Sequence, residues 1–294
     1  MDRAPEIEDA ASLRPLLFAI AYRMLGSVGD AEDVVQESFL RYQRALEEGA
    51  DVASPRAYLS ATATRLAIDE LRSARHRRES YVGAWLPEPL MTSDDDAAES
   101  AELADSVSMA FLLLLETLSP VERAVFLLHD VFAYGYDEIA AIVGKTEANA
   151  RQIAARARAH VEERRPRFDA SSAKRDELAR AFLAAAREGD VARLESLLAE
   201  DAIAYGDGGG KAAAVARPVE GRTQVARFLA GIGRYAARDR IDIVLAHANG
   251  GPALVGVDAD GNVVNVMVLE IEGGRIVAAR SVLNPDKLGH VRVR

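Results

Sequence analysis

The chain has 294 residues and a formal net charge of −10, with 49% hydrophobic and 28% charged residues. That length predicts two or three domains, and the apolar fraction is too high for a disordered chain. There is no cysteine, which excludes disulfides, zinc ribbons and thiol catalysis together and fits a reducing cytoplasm.

No uninterrupted apolar run approaches the roughly 18 residues of a membrane span, so no membrane association is expected. The acidic start, Met1 to Glu6, lacks the apolar core of a secretory signal. The charge is uneven. Between Lys145 and Arg167 the bases Lys145, Arg151, Arg156, Arg158, Arg164, Arg165 and Arg167 outnumber Glu147, Glu162 and Glu163. A second basic run holds Arg72, Arg75, His76, Arg77 and Arg78. Two basic islands on an acidic chain suggest local contact with DNA by a protein that something else holds in place.

In chain order, Leu13, Leu16, Leu17, Ile20, Ala21 and Met24 recur at helical spacing, and Gly26 to Gly29 break the pattern. Asp30 reads as the N-cap of the next helix, with Glu32 and Asp33 in its first turn. Pro55 opens a third helix that ends in the basic run. Two prolines in Trp85-Leu86-Pro87-Glu88-Pro89 forbid a helix interior, and Asp94 to Asp96 follow, so 81–104 reads as a linker.

A second helical block runs over 105–166. Ser119-Pro120-Val121-Glu122 has the form of a capping box with proline at the first position. Asp137 to Val143 form a short helix that Gly144 ends, and Thr146 caps the next one. Helix, glycine turn and basic helix make a helix-turn-helix pattern. On the last helix Ala150, Ile153, Ala154, Ala157 and Val161 share one face. Asn149, Gln152 and Arg156 occupy the opposite half, with Arg151 and Arg158 beside them. Such a face suits a major groove, where Arg reads guanine and Asn or Gln reads adenine. A solvated amphipathic helix would show the same wheel. The first basic island, with Asp69, can likewise contact DNA or simply complement a helix C-terminus. Asp30 to Glu37 is either helix-start chemistry or an acidic docking face.

After a second linker near Pro166 the character changes. Leu178, Phe182, Leu183, Leu194, Leu197 and Leu198 predict two helices. Strands are expected at Ile241–Leu245, Ala253–Val257, Val263–Ile271 and Arg275–Val282, with turns at Gly250-Gly251, Asp260-Gly261 and Gly273-Gly274. The order predicts an α+β domain.

The ordered motifs resemble a known family. Asp30 to Phe39 resembles region 2.2 of extracytoplasmic-function (ECF) sigma factors of the sigma-70 family. Ser54 to Leu59 and Ala67 to Arg72 resemble the rest of region 2. Leu118 to Arg123, Tyr136 to Ala140 and Thr146 to Arg158 resemble region 4. The resemblance covers roughly 10–165. The remainder looks like a SnoaL-like domain, a cone of curved sheet and helices. The chain also carries three signatures of a subgroup with such a fused domain: Trp85 to Pro89 in the linker, Asp207-Gly208-Gly209-Gly210-Lys211, and Asn284-Pro285-Asp286-Lys287-Leu288 near the end. The expected architecture is therefore multidomain. Residues 1–80 form an all-α region 2 bundle, 81–104 a linker, 105–166 an all-α region 4 helix-turn-helix, and 167–294 a linker and an α+β regulatory cone.

The resemblance implies a role for each matching segment. Asp30, Glu32, Asp33, Gln36 and Glu37 would bind the β′ clamp helices of core RNA polymerase. Asp69, Arg72, Arg75, Arg77 and Arg78 would melt and read a −10 element. Lys145, Thr146, Asn149, Arg151, Gln152, Arg156 and Arg158 would serve −35 recognition, and region 4 would also touch the β flap. The three signatures, with Trp85, Leu86 and Pro87 foremost in the first, would act between domains as regulatory contacts. The implied protein is a cytoplasmic, non-enzymatic transcription initiation factor without metal or cofactor.

Rival readings are a polymerase-independent helix-turn-helix regulator, and a cyclase-like enzyme using His247, Asp201, Asp258 or Tyr205. A ligand-sensing C-terminal pocket is a further possibility. Asp207 to Lys211 lacks the leading glycine and the Ser or Thr of a P-loop, which argues against nucleotide binding.

Overall fold

The computed structural model describes residues 10–79, 81–92, 106–163 and 172–292. The chain divides into two units, Met1–Glu79 with Leu114–Arg165, and Ser80–Leu113 with Pro166–Arg294.

The first unit is helical. Helix α1 (Arg14–Leu25) ends at Gly26, whose φ of 66° lets its N–H close back on the Tyr22 carbonyl at 2.7 Å. Helix α2 spans Val28–Glu47. Its N-cap is Ser27 rather than the expected Asp30. The Ser27 hydroxyl accepts the Asp30 N–H at 3.1 Å, and Asp30 sits in the first turn beside the positive end of the helix dipole. Helix α3 (Pro55–Glu79) starts on its proline, with Ser54 Oγ accepting from Ala57. The three helices bury Leu17, Ile20, Met24, Val35, Tyr42, Leu59 and Leu71 between them. Each such side chain contributes roughly 1.5–3 kcal/mol on leaving water.

Helix α4 is Met109–Leu115 and α5 is Pro120–Phe126, with both halves of the Ser119/Glu122 capping box formed. A π-helical turn, Leu127–Val131, follows. Helix α6 (Tyr136–Val143) stops at Gly144, left-handed at φ 65°, and α7 (Glu147–Glu162) begins under Thr146 Oγ. All five residues expected on the apolar face of α7, from Ala150 to Val161, are buried. Side chains of α3 and the α1 end tie this half to the first. Arg65 donates to the carbonyls of Ala141 and Ile142 at 2.8 and 2.9 Å, capping the end of α6. Tyr134 donates to Ser60 at 2.7 Å, and buried Arg123 donates to the Met24 carbonyl at 2.6 Å.

The second unit is built on a six-stranded sheet. Its strands are β1 (Leu198–Asp207), β2 (Val219–Glu220), β3 (Asp242–Ala248), β4 (Gly251–Val257), β5 (Val263–Glu272) and β6 (Arg275–Val282). Their order is β2-β1-β6-β5-β4-β3. Strands β3 to β6 form the expected antiparallel meander, and β1 joins β6 in parallel. Helices α8 (Ser172–Glu188), α9 (Val191–Leu197) and α10 (Arg222–Arg238) cover one face, burying Phe182, Leu194, Leu229, Met267, Leu269 and Ile276. Leu198, expected within a helix, instead opens β1. The first hairpin turn falls on Asn249-Gly250, because Gly251 already pairs with Ala248.

The other sheet face is also covered. Leu86, inside the expected linker, and Met109, just beyond it, pack there with Ala248, Val255, Val268, Val282, Leu288 and Val291. Met91 pairs with Ala248 as a single antiparallel bridge on the β3 edge.

Candidate nucleic-acid interface and linker junction

On α7 the polar half-wheel is exposed: Asn149, Arg151, Gln152 and Arg156, with Lys145 and Thr146 just before them. Two of its arginines are engaged within the unit. Arg151 pairs with Glu147 and lies 4.5 Å from the centroid of the Tyr136 ring. Arg158, expected among the DNA readers, is only partly exposed and pairs with Asp130 at 2.7 Å. The π-helical turn carries that aspartate, whose hydrogen bond holds the Arg158 guanidinium above its ordinary range. Arg158 thus faces back into the domain, while Asn149, Gln152 and Arg156 stand clear. In the first basic island Asp69 and Arg72 form an exposed i,i+3 pair at 2.9 Å. The side chains of Arg75, Arg77 and Arg78 lie outside the described residues.

On α2, Asp33 and Gln36 are exposed and Asp30 is half-buried. Glu32 is paired with Arg14, and Glu37 with Arg41 at 2.8 Å. Sequence reasoning missed the apolar part of this surface. Leu40 is 38% exposed, and a cleft of about 260 Å³ is lined by Phe39, Leu40 and Gln43 together with Arg14, Glu32 and Gln36.

The three short signatures meet at one carboxylate. Asp207 ends β1 with no solvent exposure. It accepts from the Tyr81 hydroxyl at 2.5 Å, the Leu86 N–H at 2.9 Å and Lys287 Nζ at 2.7 Å. Lys287 also donates to the Leu86 carbonyl at 2.6 Å, and its ammonium lies 4.6 Å from the Trp85 ring and 4.9 Å from the Tyr81 ring. Burial and the neighbouring Asp207 carboxylate hold the Tyr81 hydroxyl far above the usual tyrosine range. Asn284 donates to the Tyr81 oxygen at 2.9 Å and caps the 3-10 turn Pro285–Lys287 through the Asp286 N–H.

The glycine run serves close approach rather than a phosphate. A Cβ on Gly208 would lie 2.2 Å from the Ala212 carbonyl oxygen, and one on Gly209 would lie 2.3 Å from the Asn284 amide. Gly210 turns with φ 73°, and Lys211 forms an exposed pair with Asp286. Pro87 and Leu288 are buried beside these groups and Pro285 is exposed. Tyr81 was not foreseen, since a lone tyrosine in a linker carries no signal.

The acid–base candidates do not converge. Asp201 and Tyr205 lie on β1, with three strands between it and β3, which carries His247. Asp258 accepts from Asp260 and Asn262 as a turn-former, and His247 pairs with Asp176 at 2.9 Å.

Family models match three segments: Sigma-70 region 2 over residues 10–77, Sigma-70 region 4 over 108–161, and a SnoaL-like domain over 179–279. The chain is 36% identical to the ECF RNA polymerase sigma factor SigJ of Mycobacterium tuberculosis, covering 96% of this chain and 93% of that protein. The chain is an ECF sigma factor. It is also 32% identical to the probable ECF sigma factor SigI of the same species, over 95% of this chain and 93% of that one. The crystal structure of SigJ superposes with a TM-score of 0.76 at 31% identity, covering 98% of this chain and all of that one. This sigma factor therefore acts in promoter-directed transcription initiation with RNA polymerase, and its fused domain has the SnoaL-like α+β fold.

Proposed function

We propose that this sigma factor reads a −35 element with Asn149, Gln152 and Arg156 of α7 and engages a −10 element through the end of α3. It docks on the β′ clamp helices through Asp33, Gln36 and the apolar cleft at Leu40, while region 4 touches the β flap. Its SnoaL-like unit controls the linker between the two DNA-reading regions. Such work places it in the cytoplasm, and no described helix is long and apolar enough to cross a membrane.

The observation that carries the DNA reading is the division of α7. A fully buried alanine and valine face sits behind a free Asn, Gln and Arg face, which suits groove insertion and readout of base edges. The linker reading is supported by the Asp207 node, where both partner segments bind one buried carboxylate. Phe182, Leu194, Leu229 and Met267 fill the helix side of the sheet, which favours control through the linker over control by a bound ligand. A small ligand would find room in a cleft of about 680 Å³ lined by Val244, Val257, Val263, Leu288, Val291 and Arg292.

The test is transcription in vitro with purified core polymerase, the full-length chain and a randomised promoter library. Arg156→Ala should relax selection at one or two −35 positions, costing about 1–3 kcal/mol there if the guanidinium is bidentate to a base. A uniform loss across all templates would mean a phosphate contact. Unchanged selection would remove α7 from the reading.

A further inference from the structure

Asn249 sits in the β3–β4 turn at φ 55° and is 1% exposed. Glycine serves such a left-handed position at least as well, as Gly273 and Gly274 do in the β5–β6 turn. The side chain at Asn249 has a second use. Its backbone N–H donates to the Leu90 carbonyl at 2.8 Å, and its Oδ1 accepts the Leu90 N–H at 3.2 Å. Its Nδ2 donates to the Val107 carbonyl at 2.9 Å. One buried amide therefore fastens both flanks of residues 91–106 to the tip of one hairpin. The Asp207 node fastens only the front of the linker, at Tyr81 and Leu86.

Connectivity gives this staple a consequence. One residue separates the end of α3 at Glu79 from Tyr81, and the segment matched as region 4 begins at residue 108, directly after Val107. While the staple is closed, residues 91–106 add nothing to the reach between the two regions. Fully extended, those sixteen residues would add about 55 Å at roughly 3.4 Å each. Each base pair between two promoter elements moves the second by about 3.4 Å and rotates it by roughly 35°. A closed staple therefore admits few spacings, and an open one admits many.

We propose that Asn249 is a specificity-determining residue. By stapling Leu90 to Val107 it fixes the separation of −35 and −10 elements that this sigma factor accepts. The proposal rests on regions 2 and 4 being the two readers, as set out above.

The experiment uses the full chain with core polymerase and a template library in which the element sequences are randomised and their separation varies one base pair at a time. The parent should use one separation and its nearest neighbours. Asn249→Gly, which keeps the turn and deletes the amide, should raise use of separations two or more base pairs away by about tenfold relative to the optimum, as loss of two buried hydrogen bonds implies. Asn249→Asp, which keeps the Leu90 contact and loses the donor to Val107, should fall between. Because the chain has no cysteine, Met91→Cys with Ala248→Cys adds a unique cross-link at the bridged pair. On the Asn249→Gly chain that cross-link re-fastens the front flank and leaves the Val107 arm open, so the broadened profile should persist when oxidised; a narrow profile restored by the cross-link would show that the Val107 arm is not needed and would overturn the staple. Identical separation profiles for parent, Asn249→Gly and Asn249→Asp overturn the proposal. A parent that binds core yet gives no promoter-dependent transcript overturns the reading beneath it.

Discussion

Replacing Asp207 with alanine removes one carboxylate and strands three donors. Tyr81 loses its acceptor, the Leu86 N–H loses its own, and the Lys287 ammonium, 9% exposed at its side chain, loses its carboxylate counter-charge while keeping the Leu86 carbonyl and the Trp85 and Tyr81 rings beside it. Removing one partner of a buried ion pair costs about 3–5 kcal/mol, because the other charge is left uncompensated. The stranded N–H and hydroxyl overlap with that figure rather than adding to it. With an m-value of roughly 2–3 kcal/mol/M, the urea midpoint of the SnoaL-like unit should fall by about 1–2 M. Trp85, the single tryptophan, lies beside Lys287, so its fluorescence reports this junction directly. Asp207→Ala combined with Lys287→Met should recover much of the loss, since no unpaired charge remains. A single-variant midpoint within about 0.3 M of the parent, or a double variant as unstable as the sum of both singles, would refute the node as the linker's main fastening.

Two further outcomes are expected. Asp33→Arg, at an exposed α2 position, should weaken core polymerase binding without moving the unfolding midpoint; unchanged affinity in a pull-down titration would remove α2 from the docking face. Ser119→Ala should destabilise the helical unit by about 1 kcal/mol through loss of the α5 cap. The Ser119 hydroxyl is the main cause holding the Glu122 carboxyl below its ordinary range. A depressed carboxyl stabilises the fold above its unfolded value of about 4.3 and loses that contribution as pH falls through the folded one. The parent should therefore lose stability more steeply in that window than Ser119→Ala, read by denaturant midpoints at successive pH values.

The sequence made α1 to α3 and α5 to α7 readable, because their apolar residues recur at helical spacing and glycine, proline and hydroxyl residues mark the ends. The choice of Ser27 over Asp30 as cap was not readable, since both are good caps three residues apart. Strands β4 to β6 announced themselves through β-branched runs. Strand β1 did not: Leu198-Ala199-Glu200-Asp201-Ala202 has poor strand character and becomes a strand through pairing with β6, some 75 residues on. Helix α10 was missed because Ala226, Ala230, Gly233 and Ala236, small residues with little apolar signal, make up much of its packing face. A Cβ on Gly233 would lie 1.9 Å from the Ala186 carbonyl of α8. In the site, the exposed face of α7 followed from the wheel, whereas the withdrawal of Arg158 depended on Asp130, a pairing across 28 residues. The fastenings of the linker span up to 203 residues and leave no local trace.

The two-sided covering of the sheet bears on how such a protein can be inherited. Leu86 and Met109, encoded between the region 2 and region 4 segments, supply part of the core behind β3 to β6, and the residues after β6 supply the rest. The stretch of the gene from α8 onward therefore does not encode a complete folding unit. A stop codon before α8 would strand Leu86 and Met109 without their sheet, and transplanting that stretch alone would leave Val255, Val268 and Val282 uncovered on one side. Reassortment of this domain among other regulators has to carry the linker with it, so the two segments are expected to travel, and to diverge, as one.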